Sequence, residues 1–284
     1  MFELGANRYG KSRIRLVTVT RRPDRHVLRD LTVDVALEGD FAAAHVDGDN
    51  ANVIATDTMK NTVYAFARDR LTGAAEDFGL ELARHFAGYP QVDRASVTLR
   101  EHDWVRIPLA AGPAPDAFTR SGEMTRVAVT TATRLGATVE AGVEDLTVMK
   151  TTKSAFSGFE RDRYTTLAEV DDRIMATRIT ALWGYGETAA EAGFDFDRAF
   201  ARSKAALLAT LAEHFSPSVQ ASIWIMATAM LEAEPAIDWV RMVLPNLHHW
   251  TVNLEPFGLD NPGAVFVSTT EPHGLIDATV RRSR

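Results

Sequence analysis

The chain has 284 residues, 46% hydrophobic and 24% charged, with a formal net charge of −7 and no cysteine. That length holds two compact units or one large one, while the acidic balance argues against a nucleic-acid binder, which would carry a basic surplus on one face. The lack of cysteine excludes disulfides, thiol nucleophiles and thiolate metal sites, so any catalysis must run on oxygen and nitrogen groups.

No apolar run approaches the roughly 20 residues of a membrane-spanning helix. The start, Met1 to Gly5, has neither the basic region nor the apolar stretch of a secretory signal, and a cytoplasmic protein is expected. Alternation predicts a first strand over Ser12 to Thr18 and a second over Leu31 to Leu37. Arg22-Pro23-Asp24 supplies the turn between them, and the basic cluster Arg21, Arg22, Arg25 and Arg29 reads as a solvated part of that turn. An acidic, turn-rich stretch follows (Glu38 to Asp40, Asp47 to Asp49), then a helical zone from about Thr58. Phe78, Leu80, Leu82, Ala83 and Phe86 predict a helix over Ala74 to Phe86, stopped by Gly88 and Pro90. Strands are expected over Ser96 to Ile107 and Thr125 to Thr131, separated by an Ala- and Pro-rich loop at Ala110 to Ala117.

The second half repeats this order. Strands over Val139 to Met149 and Met175 to Trp183 precede helices over Phe196 to Phe215 and Val219 to Leu231; strands over Trp239 to Leu247, Ala264 to Val267 and Ile276 to Val280 follow. The pattern is β-β-α-α-β-β, twice, with a boundary near Gly136 and domains over 1–136 and 137–284. Antiparallel sheets with helices on one face, an α+β fold, are implied. A local likeness between Thr58 to Thr72 and Thr151 to Thr165 does not read as a domain repeat, because the first copy follows two strands and the second follows one.

Three segments carry more polar groups than their elements require: Arg8 to Ser12, Ile54 to Thr62 and Leu244 to Trp250. The second sits at a predicted helix N-terminus, where free N–H groups favour anions. A Lys, a Thr and a His suffice for a proton relay in which the amine takes a proton from a hydroxyl that in turn activates water. The motifs Tyr9-Gly10-Lys11, Ala55-Thr56-Asp57 followed by Lys60-Asn61-Thr62, Gly158-Phe159 through Arg161-Asp162 to Tyr164-Thr165-Thr166-Leu167, Ser218-Val219-Gln220, and Leu244-Pro245-Asn246 before His248 together resemble the successive signatures of urate oxidase (uricase), in order and across nearly the whole chain.

The resemblance implies tandem tunnelling-fold domains and a barrel closed by dimerisation. It also implies a homotetramer with active sites between subunits, Thr56 and Asp57 coming from the neighbour. Urate would be oxidised with O2 and water to 5-hydroxyisourate and hydrogen peroxide, with neither cofactor nor metal. Lys11, Thr56 and His248 match the catalytic relay. Thr56 and Asp57 match groups on the substrate edge, Phe156 the stacking aromatic, Arg173 the guanidinium that grips the purine, Val219 and Gln220 the opposite edge, and Asn246 the amide that holds O2 or water above the ring. The residue types suit that chemistry. Arg offers a charged planar fork to an anion, a Gln amide both donates and accepts, and an electron-rich urate dianion can itself reduce O2.

Each residue also has a plain structural reading. Lys11 could be a surface lysine, Thr56 and Asp57 helix N-caps, Ser216-Pro217 an N-cap and first helical residue, Phe156 a core residue, and Arg173 beside Asp171 and Asp172 a surface ion pair. His248 and His249, adjacent on a strand, point to opposite faces and make a poor metal pair. Leu247 stands where relatives often have lysine and His249 where they often have an aromatic residue or Arg, and the Ala110 to Ala117 loop lacks the histidines of some fungal relatives. The last residues, Val280 to Arg284, are not a Ser-Lys-Leu peroxisomal address, which fits a bacterial cytoplasm. The competing functions are a pterin enzyme on the same barrel, for which Glu would be expected at Gln220, and a purine-binding or structural oligomer without chemistry.

Overall fold

The computed structural model describes residues 2–191 and 193–283. The chain divides into two compact units, Met1–Val143 with Leu182–Phe200, and Glu144–Ala181 with Ala201–Arg284.

The first unit runs β1 (Tyr9–Arg21), β2 (His26–Gly39), α1 (Ala42–Val46), α2 (Thr56–Arg70), α3 (Ala75–Ala87), β3 (Val92–Leu109) and β4 (Gly112–Thr133). The strands lie in the order β1-β2-β3-β4, each antiparallel to the next, with Leu16 opposite Leu31, Val33 opposite Leu99 and Val97 opposite Thr130. Alternation on β2 explains the layering: Leu31, Val33, Val35 and Leu37 are buried and Thr32, Asp34, Ala36 and Glu38 are half-buried. The buried row forms one core with Met59 and Val63 of α2 and with Phe78, Leu82, Ala83 and Phe86 of α3. Burying each Val, Leu, Met or Phe side chain of this set contributes about 1.5–3 kcal/mol. Under α3, the fully buried Glu76 carboxylate binds the Arg126 guanidinium at 2.7 Å, and Arg126 reaches Asp197 at 2.6 Å.

Two expectations change here. The loop placed over Ala110 to Ala117 is a tight hairpin turn in which Leu109 pairs with Gly112; Gly and Pro mimic a loop in sequence, but from Gly112 on the segment is strand, exposed except at the buried Ala114. The acidic stretch after β2 contains the short helix α1, which buries no residue and so has no apolar periodicity to announce it. The expected turn between β1 and β2 closes with Arg22 N–H donating to Arg25 O at 3.0 Å.

β5 (Gly136–Lys150), β6 (Met175–Tyr185) and α4 (Phe196–Glu213) each run through the division between units. The second unit continues with α5 (Val219–Ala233), β7 (Ile237–Pro245), β8 (His248–Thr251), β9 (Phe266–Thr269) and β10 (Leu275–Arg281). β7 pairs antiparallel with β10, Val240 opposite Val280. The strand expected at Ala264 to Val267 instead joins β8 in a separate two-stranded sheet, His248 opposite Thr269 and Trp250 opposite Val267. With the one-turn helix α1 set aside in the first half and the β8–β9 hairpin in the second, the β-β-α-α-β-β order holds in both halves. The likeness between Thr58 to Thr72 and Thr151 to Thr165 is not structural, since the first copy lies mostly in α2 and the second is irregular chain.

Candidate active site

Lys11, Thr56 and Asp57 all belong to the first unit. Gly10 lies against β2 so closely that a Cβ there would sit 1.8 Å from the Val35 carbonyl oxygen, so the motif needs glycine at this point. Lys11 pairs with Val35, and the ladder resumes only at Ile14 opposite Val33. Within this bulge Arg13 takes a left-handed φ of 58° and its N–H donates to Asp34 Oδ1 at 2.6 Å. Bulges re-aim a strand and recur beside active sites. The Tyr9 hydroxyl donates to Ile54 O at 3.2 Å and accepts from Ile54 N at 2.8 Å, tying β1 to the segment that leads into α2.

The N-cap of α2 is Ala55, with no side-chain cap. The plain reading of Thr56 and Asp57 as caps is therefore corrected: they occupy the first two helical positions. Thr56 Oγ1 makes no hydrogen bond with another described residue. Asp57 binds Lys60 and accepts from Asn61 Nδ2 at 3.0 Å. The Lys60 hydrogen bond and charge hold the Asp57 carboxyl below its usual range, and the charge of Lys11 adds to this, which puts Lys11 within electrostatic reach of α2's first turn.

Phe156, Arg173, Val219, Gln220, Asn246 and His248 belong to the second unit. Ser154 and Ser216, both fully buried, bring the first four together. Ala155 N–H donates to Ser216 O at 2.8 Å, Ser216 N–H to Lys153 O at 2.9 Å, and Arg173 N–H to Ser154 O at 2.8 Å. Phe156 and Val170 exchange backbone hydrogen bonds at 2.8 and 3.0 Å, which fixes Phe156 near Arg173. From the same hub α5 begins. Its cap is Ser218, whose Oγ accepts from Ala221 N at 3.1 Å, and not Ser216, whose hydroxyl is spent on Ser218 O and Ser222 Oγ. Val219 is thereby buried and Gln220 exposed on the first turn.

Arg173 enters β6 two residues before Met175, and β6 positions the next group. Leu247 N–H donates to Ala176 O at 2.9 Å, Thr177 Oγ1 to Pro245 O at 2.8 Å, and Asn246 N–H to Gly274 O at 2.9 Å. The Asn246 amide makes no hydrogen bond with another described residue. The His248 ring stacks on Trp250, two residues on along β8, with centroids 5.3 Å apart and planes 22° apart.

Arg173, Val219, Asn246 and His248 line one recess of about 40 Å3. A wider cavity of about 480 Å3 adjoins Arg173, walled by Leu167, Val170, Ile174, His249, Trp250 and Phe266. The Arg173 guanidinium carbon lies 5.2 Å from the centroid of the Phe156 ring, its Nε is buried with no hydrogen-bond partner, and it makes no ion pair among the described residues. The surface ion pair expected on the plain reading does not form. Asp172 accepts from Thr152 Oγ1 at 2.7 Å and from Ser154 N at 3.3 Å instead. Burial first, then the charges of Arg173, His273 and His249, lower the pKa of His248, so its ring is neutral at neutral pH. A neutral imidazole, a free amide and an unpaired guanidinium over an aromatic ring can accept a proton, orient a small polar molecule and hold a planar anion.

Sequence reasoning missed the parts that hold this set in place: the Tyr9 hydroxyl, the Ser154 and Ser216 hub, Thr177, and Trp250 beneath His248. Tyr9 had a sequence signal in its place next to Gly10-Lys11, and in the sequence Ser216 and Trp250 read only as a helix cap and as the end of a polar-rich segment.

Over residues 7–131 and 139–277 the chain matches the family model described as Uricase. It is 45% identical over 280 residues to the uricase of Arthrobacter globiformis, covering 98% of this chain and 90% of that one. It is 37% identical over 281 residues to the uricase of Dictyostelium discoideum, covering 98% and 96%. The crystal structure of the Arthrobacter globiformis uricase superposes with a TM-score of 0.93, covering 100% of this chain and 97% of that one at 44% identity. The urate oxidase of Bacillus sp. TB-90 shares the fold, with a TM-score of 0.82 over 97% of this chain and 100% of that one at 21% identity. With its repeated β-β-α-α-β-β order, its recess around an unpaired arginine and these likenesses over nearly its full length, the chain belongs to the uricase family.

Proposed function

We propose how this chain, as a uricase, oxidises urate with O2: a relay of Lys11, Thr56 and His248 moves the protons, and the substrate itself supplies the electrons without a cofactor. The balance is urate + O2 + H2O → 5-hydroxyisourate + H2O2. Two electrons pass from the purine to O2, which leaves as peroxide, and water supplies the new hydroxyl. The observation that carries the reading is the Arg173 guanidinium, partly buried against Phe156 with Nε unpartnered and no carboxylate on it. An unpaired buried cation is costly unless a ligand anion completes it, and the planar fork beside an aromatic face suits a flat anionic ring.

In this reading Phe156 stacks on the purine, Arg173 binds one edge, and Val219 with Gln220 holds the opposite edge. Asn246 holds O2 or water above the ring. Lys11 and Thr56 exchange a proton, Thr56 draws one from water or substrate, and His248 extends the relay; Asp57 binds the substrate edge. The recess that Arg173, Val219, Asn246 and His248 share, about 40 Å3, is far smaller than the roughly 300 Å3 at which pockets enclosing a small ligand begin, and of these candidates only Arg173 also lines the wider cavity of about 480 Å3. That supports a ring covered from outside, by Thr56 and Asp57 of a neighbouring subunit in a homotetramer whose barrels close by pairing of subunits. Because Tyr9 ties β1 to Ile54, Lys11 would arrive with Thr56 as one piece. The proposed domains are the tandem halves 1–136 and 137–284. Among the described residues no helix is long and apolar enough to cross a membrane, and the proposed place of action is the cytoplasm.

The test is urate absorbance followed with and without dissolved oxygen in chelator-treated protein, with peroxide assayed in parallel. Oxygen-dependent loss of urate with one peroxide per urate is expected. Urate that persists in the presence of oxygen defeats the reading. Light scattering should give a tetramer, and an active monomer would defeat the shared site.

A further inference from the structure

Asn246 is held by its backbone on two sides, yet its side-chain amide is free. Its N–H donates to Gly274 O at 2.9 Å, it forms a bridge to Thr177 of β6, and Thr177 Oγ1 donates to the carbonyl of the preceding residue, Pro245, at 2.8 Å. These contacts fix where the amide starts but not which way it points. The remaining constraint comes from Gly274, the residue just before β10. A Cβ on Gly274 would sit 3.1 Å from Asn246 Nδ2 and 3.9 Å from its Cγ, with Ile276 Cδ1 next at 4.0 Å. Gly274 has no positive φ and does not need glycine for its backbone. What a side chain at 274 would disturb is therefore the Asn246 amide, by a few tenths of an ångström.

We infer that Gly274 is a positioning residue for the reaction: it leaves open the space in which the Asn246 amide sits in the recess, and thereby sets where that amide holds O2 or water. The inference rests on the role proposed for Asn246. Alanine at 274 would displace the amide while leaving Phe156, Arg173 and Val219, which hang from the Ser154 and Ser216 hub, where they are. Urate should then still bind, and the oxygen step should slow. A misplacement of about 1 Å can cost roughly 100-fold in rate when the misplaced group orients a reactant, so a shift of a few tenths of an ångström should cost severalfold.

The experiment is a double-mutant cycle with Gly274→Ala and Asn246→Ala in the full-length enzyme, reading kcat, anaerobic urate binding and the melting temperature. Gly274→Ala alone should lower kcat severalfold and leave urate affinity within about twofold. In the Asn246→Ala background, where the amide is gone, Gly274→Ala should cause no further loss of kcat and no further fall in melting temperature. Losses that multiply in the double variant would overturn the inference, and so would a loss of urate affinity that accounts for the lower rate. If Gly274→Ala alone does not fold, the double variant should fold, because the crowded atom has been removed; a double variant that also fails would mean that Gly274 acts on the backbone and not on the amide. A wild-type enzyme that leaves urate unoxidised would defeat the functional reading, and the melting temperatures would still decide whether residue 274 acts through Asn246.

Discussion

The helices α2 and α5 lie in different halves of the chain, and both carry candidate residues on their first turn, but their N-terminal ends are built differently. At α5, Ser218 caps the helix through Ala221 N, and the hydroxyls of Ser216 and Ser222 stand 2.7 Å apart with His214 Nε2 2.8 Å beyond. Every hydroxyl there has a partner. At α2 the cap is Ala55, without a side-chain bond, the Thr56 hydroxyl is uncommitted, and Asp57 turns to Lys60 and Asn61. A side-chain cap is typically worth about 1 kcal/mol, which α2 forgoes. One end is spent on holding Val219 and Phe156 in place, and the other is left available for chemistry, as expected where local rules yield to function.

Removing the free groups of the first unit tests this contrast most strongly. Thr56→Val and Lys11→Met should each lower kcat by about 100- to 10,000-fold, the range for a lost acid–base group, with urate binding and melting temperature nearly unchanged. A variant that keeps full turnover would end the relay assignment, and one that unfolds would show that the α2 end is structural after all. The next largest effect is expected on the other side. Arg173→Lys keeps the charge but loses the fork. Losing one charge-assisted hydrogen bond, about 1.5–3 kcal/mol, should raise KM roughly 10- to 100-fold while kcat changes much less. Unchanged KM would place the anion elsewhere.

The relay also carries a pH signature. His248 is held below the ordinary imidazole value, first by burial and then by Arg173, His273 and His249. As the pH falls, its ring therefore stays neutral past the point where a free imidazole takes a proton, and the acid limb of kcat/KM should lie below pH ~6.5. For stability the sign runs the same way: the unfolded chain binds that proton first, so His248's contribution is present above the imidazole value and falls as the pH drops toward its folded value. An acid limb above that value, or one that survives His248→Asn, would remove His248 from the relay.

Much of the fold was legible because it rests on local periodicity. The half-buried β2 alternates residue by residue, and α3 buries Phe78, Leu82, Ala83 and Phe86 on one face. What was not legible depends on pairing at a distance. β8 and β9 are four-residue strands that are half exposed, and nothing in His248-His249-Trp250-Thr251 says that Phe266 to Thr269 will be its partner; β7 therefore looked as if it continued through Leu247. The site residues themselves came from the resemblance to uricases, and residue types alone left each one a plausible cap, surface charge or core ring. The structure adds their companions. Tyr9 meets Ile54 and Ser154 meets Ser216 across long stretches of sequence, and these contacts decide which candidates move together.

The smallest effect completes the comparison from the α5 side. Ser218 lies beside Val219 and Gln220, so a serine that opens a signature motif invites a catalytic role. Its hydroxyl, however, is committed to Ala221 N at 3.1 Å, and it contributes as a cap does. Ser218→Ala should cost about 1 kcal/mol, lowering the melting temperature by about 2–4 °C in a protein of this size, with kcat within about twofold. Thr56→Val should do the reverse, leaving the melting temperature and removing the rate. Measured side by side, the two substitutions separate a helix end used for stability from one used for chemistry. A Ser218→Ala enzyme with a normal melting temperature and lost turnover would mean that both ends serve the reaction.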